Sequence, residues 1–149
     1  METPLLGDDF FMRKAIQLAE LAYDEEEVPI GALIVHGTEI IGKGYNQTER
    51  LKDSTAHAEM LAITAASNHL QSKYLAECTL YVTIQPCVMC AGAIVSSRLM
   101  KVVYGAYEPK TGSSKFLPAR FLSAQIEWEG GVMEKECRDL MQNFFKSRR

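Results

Sequence analysis

Two cysteines separated by two residues, Cys87 and Cys90, are the first candidates for chemistry in this sequence. They lie in a stretch of 20 residues without a charged side chain, from Cys78 to Ser97. A Cys-x-x-Cys pair at the start of a helix can form part of a metal site or a redox dithiol, because the positive helix end lowers the thiol pKa and favours the thiolate. The motif alone leaves metal binding, redox chemistry and two inert thiols as alternatives.

The presence of His57 and Glu59 in the same chain favours a metal site with one open position. Two thiolates and one imidazole give zinc three protein ligands, and the fourth tetrahedral position then holds a water molecule whose pKa zinc lowers to about 7. Glu59 need not bind the metal in such a site, and it can carry the proton of that water. The other cysteines, Cys78 and Cys137, have no paired spacing. A closed site with four protein ligands is therefore the weaker alternative.

The cysteines are predicted to lie where a strand runs into a helix. Apolar and polar residues alternate through residues 78–84, which predicts a strand. Pro86 suits the start of a helix that is predicted over residues 87–98, which would place both cysteines in its first turn. The proline and the change of period argue against a membrane span through this uncharged stretch. His57 is predicted in the first turn of a second helix, over residues 57–70.

The remaining patterns predict alternating strands and helices in one domain, residues 1–149. Strands and helices that alternate on this scale indicate a sheet covered by helices on both faces. The acidic run Asp24–Glu27 is interpreted as a solvated loop. Further strands are predicted at about 29–36, 38–45, 101–105 and 126–130. Apolar stripes predict a first helix with Phe11, Ala15, Leu18 and Ala22 on one face, and a final helix with Cys137, Leu140, Met141, Phe144 and Phe145 on one face.

Composition and charge limit the possible functions. Hydrophobic residues make up 47% and charged residues 23% of the chain, which is typical of a soluble globular protein. The first residues, METPLLGDDFF, carry acids where a signal peptide carries Lys or Arg, so a reducing cytoplasmic location is predicted. The net charge of −3 provides no diffuse positive field. Any binding to nucleic acid would therefore need a local cationic patch.

The sequence resembles the bacterial tRNA-specific adenosine deaminases over essentially its whole length. Its His-x-Glu and Pro-Cys-x-x-Cys motifs are the signature of zinc-dependent nucleobase deaminases, and short cytidine deaminases usually carry a cysteine where His57 stands. The resemblance implies a three-layer α/β/α, cytidine-deaminase-like fold, with a central mixed sheet of about five strands flanked by helices. The segments that carry the resemblance are EVPIGALIV, the GYN that ends at Asn46, TAHAEMLAI, PCVMCAGAIVSSR, VVYGA, PKTG and the terminal FFKSRR.

The resemblance also implies a role for each site residue. His57, Cys87 and Cys90 would hold one zinc ion per chain, and Glu59 would be the proton shuttle. Family members usually have aspartate where this chain has Glu108, so the contact expected there departs from the family pattern. The implied substrate contacts are the Asn46 side chain on the purine, the Ala58 backbone on its edge, Pro29 on the pocket wall, Glu108 near the ribose and Lys110 near the RNA.

The implied function is hydrolytic deamination of adenosine to inosine at the wobble position of a tRNA anticodon, by a homodimer. Three rivals remain at this point: a deaminase of a free base or nucleoside, such as guanine, on the same fold, a cytoplasmic redox dithiol protein, and a zinc-stabilised RNA-binding module without catalysis. Contact with RNA is predicted at a local patch next to Phe144 and Phe145. The candidate cations of this patch are Lys110, Lys115, Arg120, Lys146, Arg148 and Arg149.

Overall fold

The computed structural model describes residues 6–123 and 125–148, and within them seven helices and five strands. The strands are β1 (Gly31–His36), β2 (Glu39–Tyr45), β3 (Cys78–Ile84), β4 (Lys101–Ala106) and β5 (Glu127–Glu129). The helices are α1 (Asp8–Asp24), α2 (Thr48–Leu51), α3 (Ala58–Leu70), α4 (Val88–Ser96), α5 (Ser113–Phe116), α6 (Ala119–Leu122) and α7 (Glu134–Lys146).

The five strands form one mixed sheet in the order β2-β1-β3-β4-β5. The β1 strand pairs antiparallel with both β2 and β3, whereas β3, β4 and β5 run parallel to one another. The predicted mixed sheet of five strands is confirmed. Apolar and polar residues alternate along β3, but almost all of them are buried, because β3 is a central strand covered on both faces.

Helices cover both faces of this sheet, as predicted. On one face, α1 and α7 pack on the sheet through side chains such as Met12 and Cys137. On the other face, α3 and α4 pack on it through Ala62 and Ile94. Successive residues of a strand point to opposite faces, so Leu33 joins the first cluster and its neighbours join the second.

Small residues let α3 approach β2 closely along a seam that consists of Gly42 and Gly44 on the strand and Ala58, Ala62 and Ala66 on the helix. A Cβ atom built on Gly44 would lie 2.5 Å from the Ala58 carbonyl oxygen, and one built on Gly42 would lie 2.5 Å from that of Ala62. Real side-chain atoms do not come so close to backbone, so both strand positions require glycine. The seam therefore sets the distance between α3 and the sheet, and the first turn of α3 carries Glu59.

The boundaries of the two helices that follow the chemical motifs differ from the prediction. His57 and Cys87 are the N-caps of α3 and α4, in extended conformation, and do not lie in the first helical turn. Pro86 precedes the cap and is not the first helical residue. The chain must turn out of β3 before α4 can start, and an extended residue at position 87 makes that turn. Among the described helices, none is long and apolar enough to cross a membrane.

Candidate active site

The N-termini of α3 and α4 bring together the three residues that the sequence predicts as metal ligands. His57 and Cys87 cap the two helices and Cys90 is the third residue of α4. One potential ligand atom from each of the three lies within 4.8 Å of the other two. The His57 Nδ1 atom is 3.7 Å from the Cys87 Sγ atom and 3.6 Å from the Cys90 Sγ atom.

These distances fit a tetrahedral zinc ion. Zinc bonds of about 2.0–2.1 Å to nitrogen and 2.3 Å to sulfur place the nitrogen and sulfur corners of a tetrahedron about 3.6 Å apart. Neither cap side chain is used to cap its own helix, so both remain available to a metal. A histidine and two cysteines are also a donor set that suits zinc.

The environment of the thiols favours an anionic site. The pKa of Cys87 is lowered to about 4, chiefly because its thiolate accepts a hydrogen bond from Cys90 and a second one from His57. The pKa of Cys90 is raised by the same hydrogen bond to Cys87 and by burial. The pKa of His57 is raised by its hydrogen bond to Cys87. These hydrogen bonds favour a negative charge on Cys87, which suits a metal ligand.

Glu59 lies beside the cluster without belonging to it. It is the second residue of α3, only 3% exposed, and lines the same cavity as His57 and Cys87. Burial raises its pKa to about 7. A carboxyl group that titrates near neutrality can both accept and donate a proton.

A cavity of about 200 Å³ opens at the cluster. Cavities that bind drug-sized molecules measure about 300–1,000 Å³, so this one suits a single flat base. Its lining combines apolar walls with the polar groups of the cluster at one end. The lining residues are Val28, Ile30, His57, Glu59, Ile84, Gln85, Cys87, Glu108, Thr111 and Met141.

The residues expected to contact substrate fall into two groups. Glu108 lines the cavity, and so do Val28 and Ile30, the two neighbours of Pro29. Asn46 is buried behind this wall, where its backbone N–H donates to the Ile30 carbonyl at 3.0 Å. Within the described chain, Pro29, Asn46, Ala58 and Lys110 are outside the cavity lining itself.

Two surface grooves adjoin the cavity and differ in charge. The basic groove, about 820 Å³, contains Lys110, Arg138 and Lys146, and shares Glu108 with the cavity. The acidic groove, about 830 Å³, contains four glutamates and two arginines, and shares Val28 with the cavity. The residues that line the acidic groove are Glu25, Glu26, Glu27, Val28, Glu49, Arg50, Phe144, Phe145 and Arg148.

The structure divides the predicted cationic patch. Lys110 and Lys146 share the basic groove. Arg148 belongs to the acidic groove, where its guanidinium donates to the Glu26 carbonyl oxygen at 2.7 Å and stacks over the Phe144 ring at 4.3 Å. Lys115 and Arg120 lie outside both grooves, and Arg149 lies outside the described residues.

Two buried polar side chains around the site escape prediction from the sequence. The interpretation of Glu27 as part of a solvated loop is wrong, because this residue is 1% exposed. Its carboxylate accepts the backbone N–H groups of Glu49 at 3.1 Å and Arg50 at 2.7 Å, so it holds α2 in place. Gln85 is 8% exposed and lines the cavity. Its position at the end of a buried strand, directly before the Pro-Cys motif, is the signal that could have revealed it.

Comparison with known proteins gives concordant results. Residues 7–149 match the family of MafB19-like deaminases. The chain is 43% identical to the tRNA-specific adenosine deaminase of Aquifex aeolicus over 97% of both chains, and 44% identical to that of Bacillus subtilis over 95% of this chain and 91% of the relative. A solved structure from work on A-to-I editing by tRNA:A34 deaminases at the wobble position superimposes with a TM-score of 0.81 and 37% identity, over 87% of this chain and 97% of that one.

Proposed function

This chain belongs to the family of tRNA-specific adenosine deaminases, and from that membership we propose that it converts adenosine to inosine at the wobble position of a tRNA anticodon. Two observations together support the proposal. The chain is 43% identical to a tRNA-specific adenosine deaminase over 97% of its length, and its His57, Cys87 and Cys90 cluster lies beside Glu59 at a cavity of the size of a base. We take residues 1–149 as a single deaminase domain, which the family match over residues 7–149 supports.

The proposed reaction replaces the amino group of the purine by oxygen from water, and it releases ammonia. His57 Nδ1 and the Sγ atoms of Cys87 and Cys90 would hold zinc, which would supply an activated water molecule. Glu59 accepts the proton of the attacking water on its carboxylate and delivers it to purine N1. It then takes the second proton of that water from the hydroxyl group now on purine C6 and transfers it to the amino group, which leaves as ammonia. The buried position of Glu59 suits this work, because bulk water cannot compete for the proton.

The shape of the site explains why the target base must leave its stack. The cavity encloses the cluster from several sides, so a base within a duplex could not reach it. Extrusion costs least in a single-stranded loop such as an anticodon loop. We propose that Asn46, the Ala58 backbone and Pro29 shape the purine end of the pocket. In this arrangement Glu108, on the cavity wall, contacts the ribose, and Lys110, in the basic groove, contacts the adjacent phosphate.

A direct assay tests the function. Purified protein is incubated with an anticodon stem-loop that has adenosine at the wobble position, and in parallel with free guanine, free cytosine and free adenosine. We expect inosine in the stem-loop alone. Deamination of a free base or of free adenosine at a comparable rate, with an unmodified stem-loop, would refute the proposal and favour a deaminase of free bases or nucleosides.

We also propose a cytoplasmic location. The proposed zinc site needs two reduced thiols, and the cytoplasm keeps thiols reduced.

The basic groove is the proposed path of the RNA strand. Replacement of Lys110 and Lys146 by alanine should weaken stem-loop binding and flatten its salt dependence by about 0.7 to 0.9 of a log unit in slope for each phosphate that the variant no longer binds. Lys115→Ala is the matched control, because Lys115 lies in α5 outside both grooves. Binding isotherms at several salt concentrations measure the slope. A double variant with the slope of the wild type would exclude this path.

We propose that two chains associate through α4. The helix has no charged residue, although Val88 is 40% exposed and a Cβ atom on Gly92 would meet open space. A solvent-facing helix normally carries charges on its outer face, and an uncharged face of this kind is typical of an interface. Gly92→Arg should therefore yield monomers in sedimentation velocity, whereas Gly92→Ala should remain dimeric. Equal masses for the two variants would place the interface elsewhere.

A further inference from the structure

The side chain of Gln85 occupies a buried position between the metal cluster and the loop that carries Glu108. It follows the last residue of β3 and lines the cavity together with the cluster residues His57 and Cys87. Both halves of its amide are used: Oε1 accepts the backbone N–H of Glu108 at 3.1 Å, and Nε2 donates to Ser114 Oγ at 2.7 Å. One side chain therefore joins both ends of the segment 108–114.

This segment, which we name the rim loop (residues 108–114), is held by hydrogen bonds, among them one from the Lys110 N–H to Glu108 Oε1 at 2.9 Å, and by a bridge between Gly112 and Cys87. Most of its side chains are exposed, and only Gly112 and Ser113 are buried. The Gly112 N–H donates to the Glu108 carbonyl at 3.0 Å, and the Ser113 N–H donates to the Pro86 carbonyl at 2.9 Å. An exposed segment without apolar anchors depends on its hydrogen bonds for a defined position. The Gln85 amide is the part of that network which joins Glu108 to the end of β3.

Gly112 lies directly against this amide. A Cβ atom at Gly112 would be 2.5 Å from Gln85 Oε1 and 2.4 Å from the Glu108 carbonyl oxygen. Gly112 thus packs so closely against the side chain of Gln85 that position 112 has no space for a side chain. A shift of the amide would break its hydrogen bond to the Glu108 N–H.

We infer that Gln85 is a positioning residue which sets substrate affinity by holding the rim loop, and so Glu108, at the mouth of the cavity. The inference rests on the proposed function for its substrate, because Glu108 and Thr111 are the rim-loop residues that line the cavity. Gln85 does not exchange a proton with the substrate in this role. Its loss should therefore raise KM for the RNA substrate and leave kcat nearly unchanged, since the metal ligands and Glu59 are untouched.

Three substitutions separate the effect of the two hydrogen bonds from that of the length of the side chain. Gln85→Met keeps the length of the side chain and removes both hydrogen bonds. Gln85→Glu is the conservative variant, because a carboxylate can accept from the Glu108 N–H and from the Ser114 hydroxyl. Ser114→Ala, at an exposed position, removes only the second bond. We expect KM to rise about tenfold for Gln85→Met, which is the scale of one or two missing hydrogen bonds. Gln85→Glu should restore most of the affinity, and Ser114→Ala should give a smaller rise.

Steady-state kinetics on the anticodon stem-loop measure KM and kcat, and peptide-level amide hydrogen exchange measures the rim loop directly. Exchange in residues 108–114 should be faster in Gln85→Met than in the wild type, with zinc content and thermal midpoint as controls. Unchanged KM and unchanged exchange would overturn the inference. A fall in kcat at constant KM would also overturn it, because Gln85 would then act on the reacting atoms. If Gln85→Met does not fold, Ser114→Ala decides by the same two measurements.

The two proposals fail in different ways. A wild-type protein that forms no inosine would refute the proposed function, while the exchange experiment would still report whether Gln85 holds the rim loop. An active wild type whose Gln85→Met variant has normal KM and normal exchange would refute only the role of Gln85.

Discussion

Glu59→Gln should abolish most turnover on the anticodon stem-loop while it leaves the fold and the metal in place. The amide has the shape of the carboxyl group and fits the same buried position in the first turn of α3. It cannot take a proton from water and pass it to the purine, however, and the proposed reaction needs two such transfers. Positioned proton transfer typically contributes about 10² to 10⁴-fold. We expect the rate constant measured under single-turnover conditions to fall by at least that factor.

Glu20→Gln provides the matched control, because Glu20 is an exposed glutamate on α1. Zinc content and the thermal midpoint of Glu59→Gln should equal those of the wild type, since Glu59 is not part of the metal cluster. Turnover by Glu59→Gln within about tenfold of the wild type would be far too high for the loss of a proton shuttle. The shuttle role would then pass to another group at the cavity.

Replacement of His57 by alanine should remove both the metal and the activity. Two cysteines alone leave zinc with half of its tetrahedral ligands, so elemental analysis should find well below the one zinc per chain expected for the wild type. The metal contributes several kcal/mol to hydrolytic reactions of this class, and each 1.36 kcal/mol is a factor of ten in rate. The expected loss of activity is therefore at least about a thousandfold.

His69→Ala is a sharp control for this experiment. His69 lies in the last turn of the same helix, exposed, and within 3.6 Å of Glu39. Its replacement should change neither zinc content nor turnover. His57→Ala with one tightly bound zinc per chain would show that the metal lies elsewhere. A wild type that contains no zinc when purified without chelators would refute the metal site itself.

Local patterns are sufficient to predict the strands and the clustered residues His57, Cys87 and Cys90. Alternation of apolar and polar residues predicts β3, because a strand places successive side chains on opposite faces. The spacing of Cys87 and Cys90, with His57 in another segment, predicts a cluster that the structure confirms. These signals are contained in short segments. The residues that support the cluster from outside are not recognisable in this way.

Glu27 and Gln85 show why the rest could not be predicted. Glu27 resembles its exposed neighbours in sequence, and its burial follows from backbone partners 22 and 23 residues away. The hydrogen bonds of Gln85 likewise reach residues 23 and 29 positions away. The sequence predicts Arg148 as a phosphate contact, but its guanidinium bonds to Glu26, 122 residues distant. Polar residues carry no periodic signal that reveals such partners, because one side chain and one distant backbone group are enough.

The seam between β2 and α3 has a consequence for how this protein can evolve or be engineered. The helix that carries Glu59 is seated on Gly42 and Gly44, where even one added methyl group would collide with backbone. Substitutions along this seam should destabilise the fold, and they should therefore be lost before they can alter the pocket. The rim loop has an exposed surface and no such constraint outside Gly112. Changes in substrate range should therefore accumulate in the rim loop, while the seam remains nearly invariant among functional descendants.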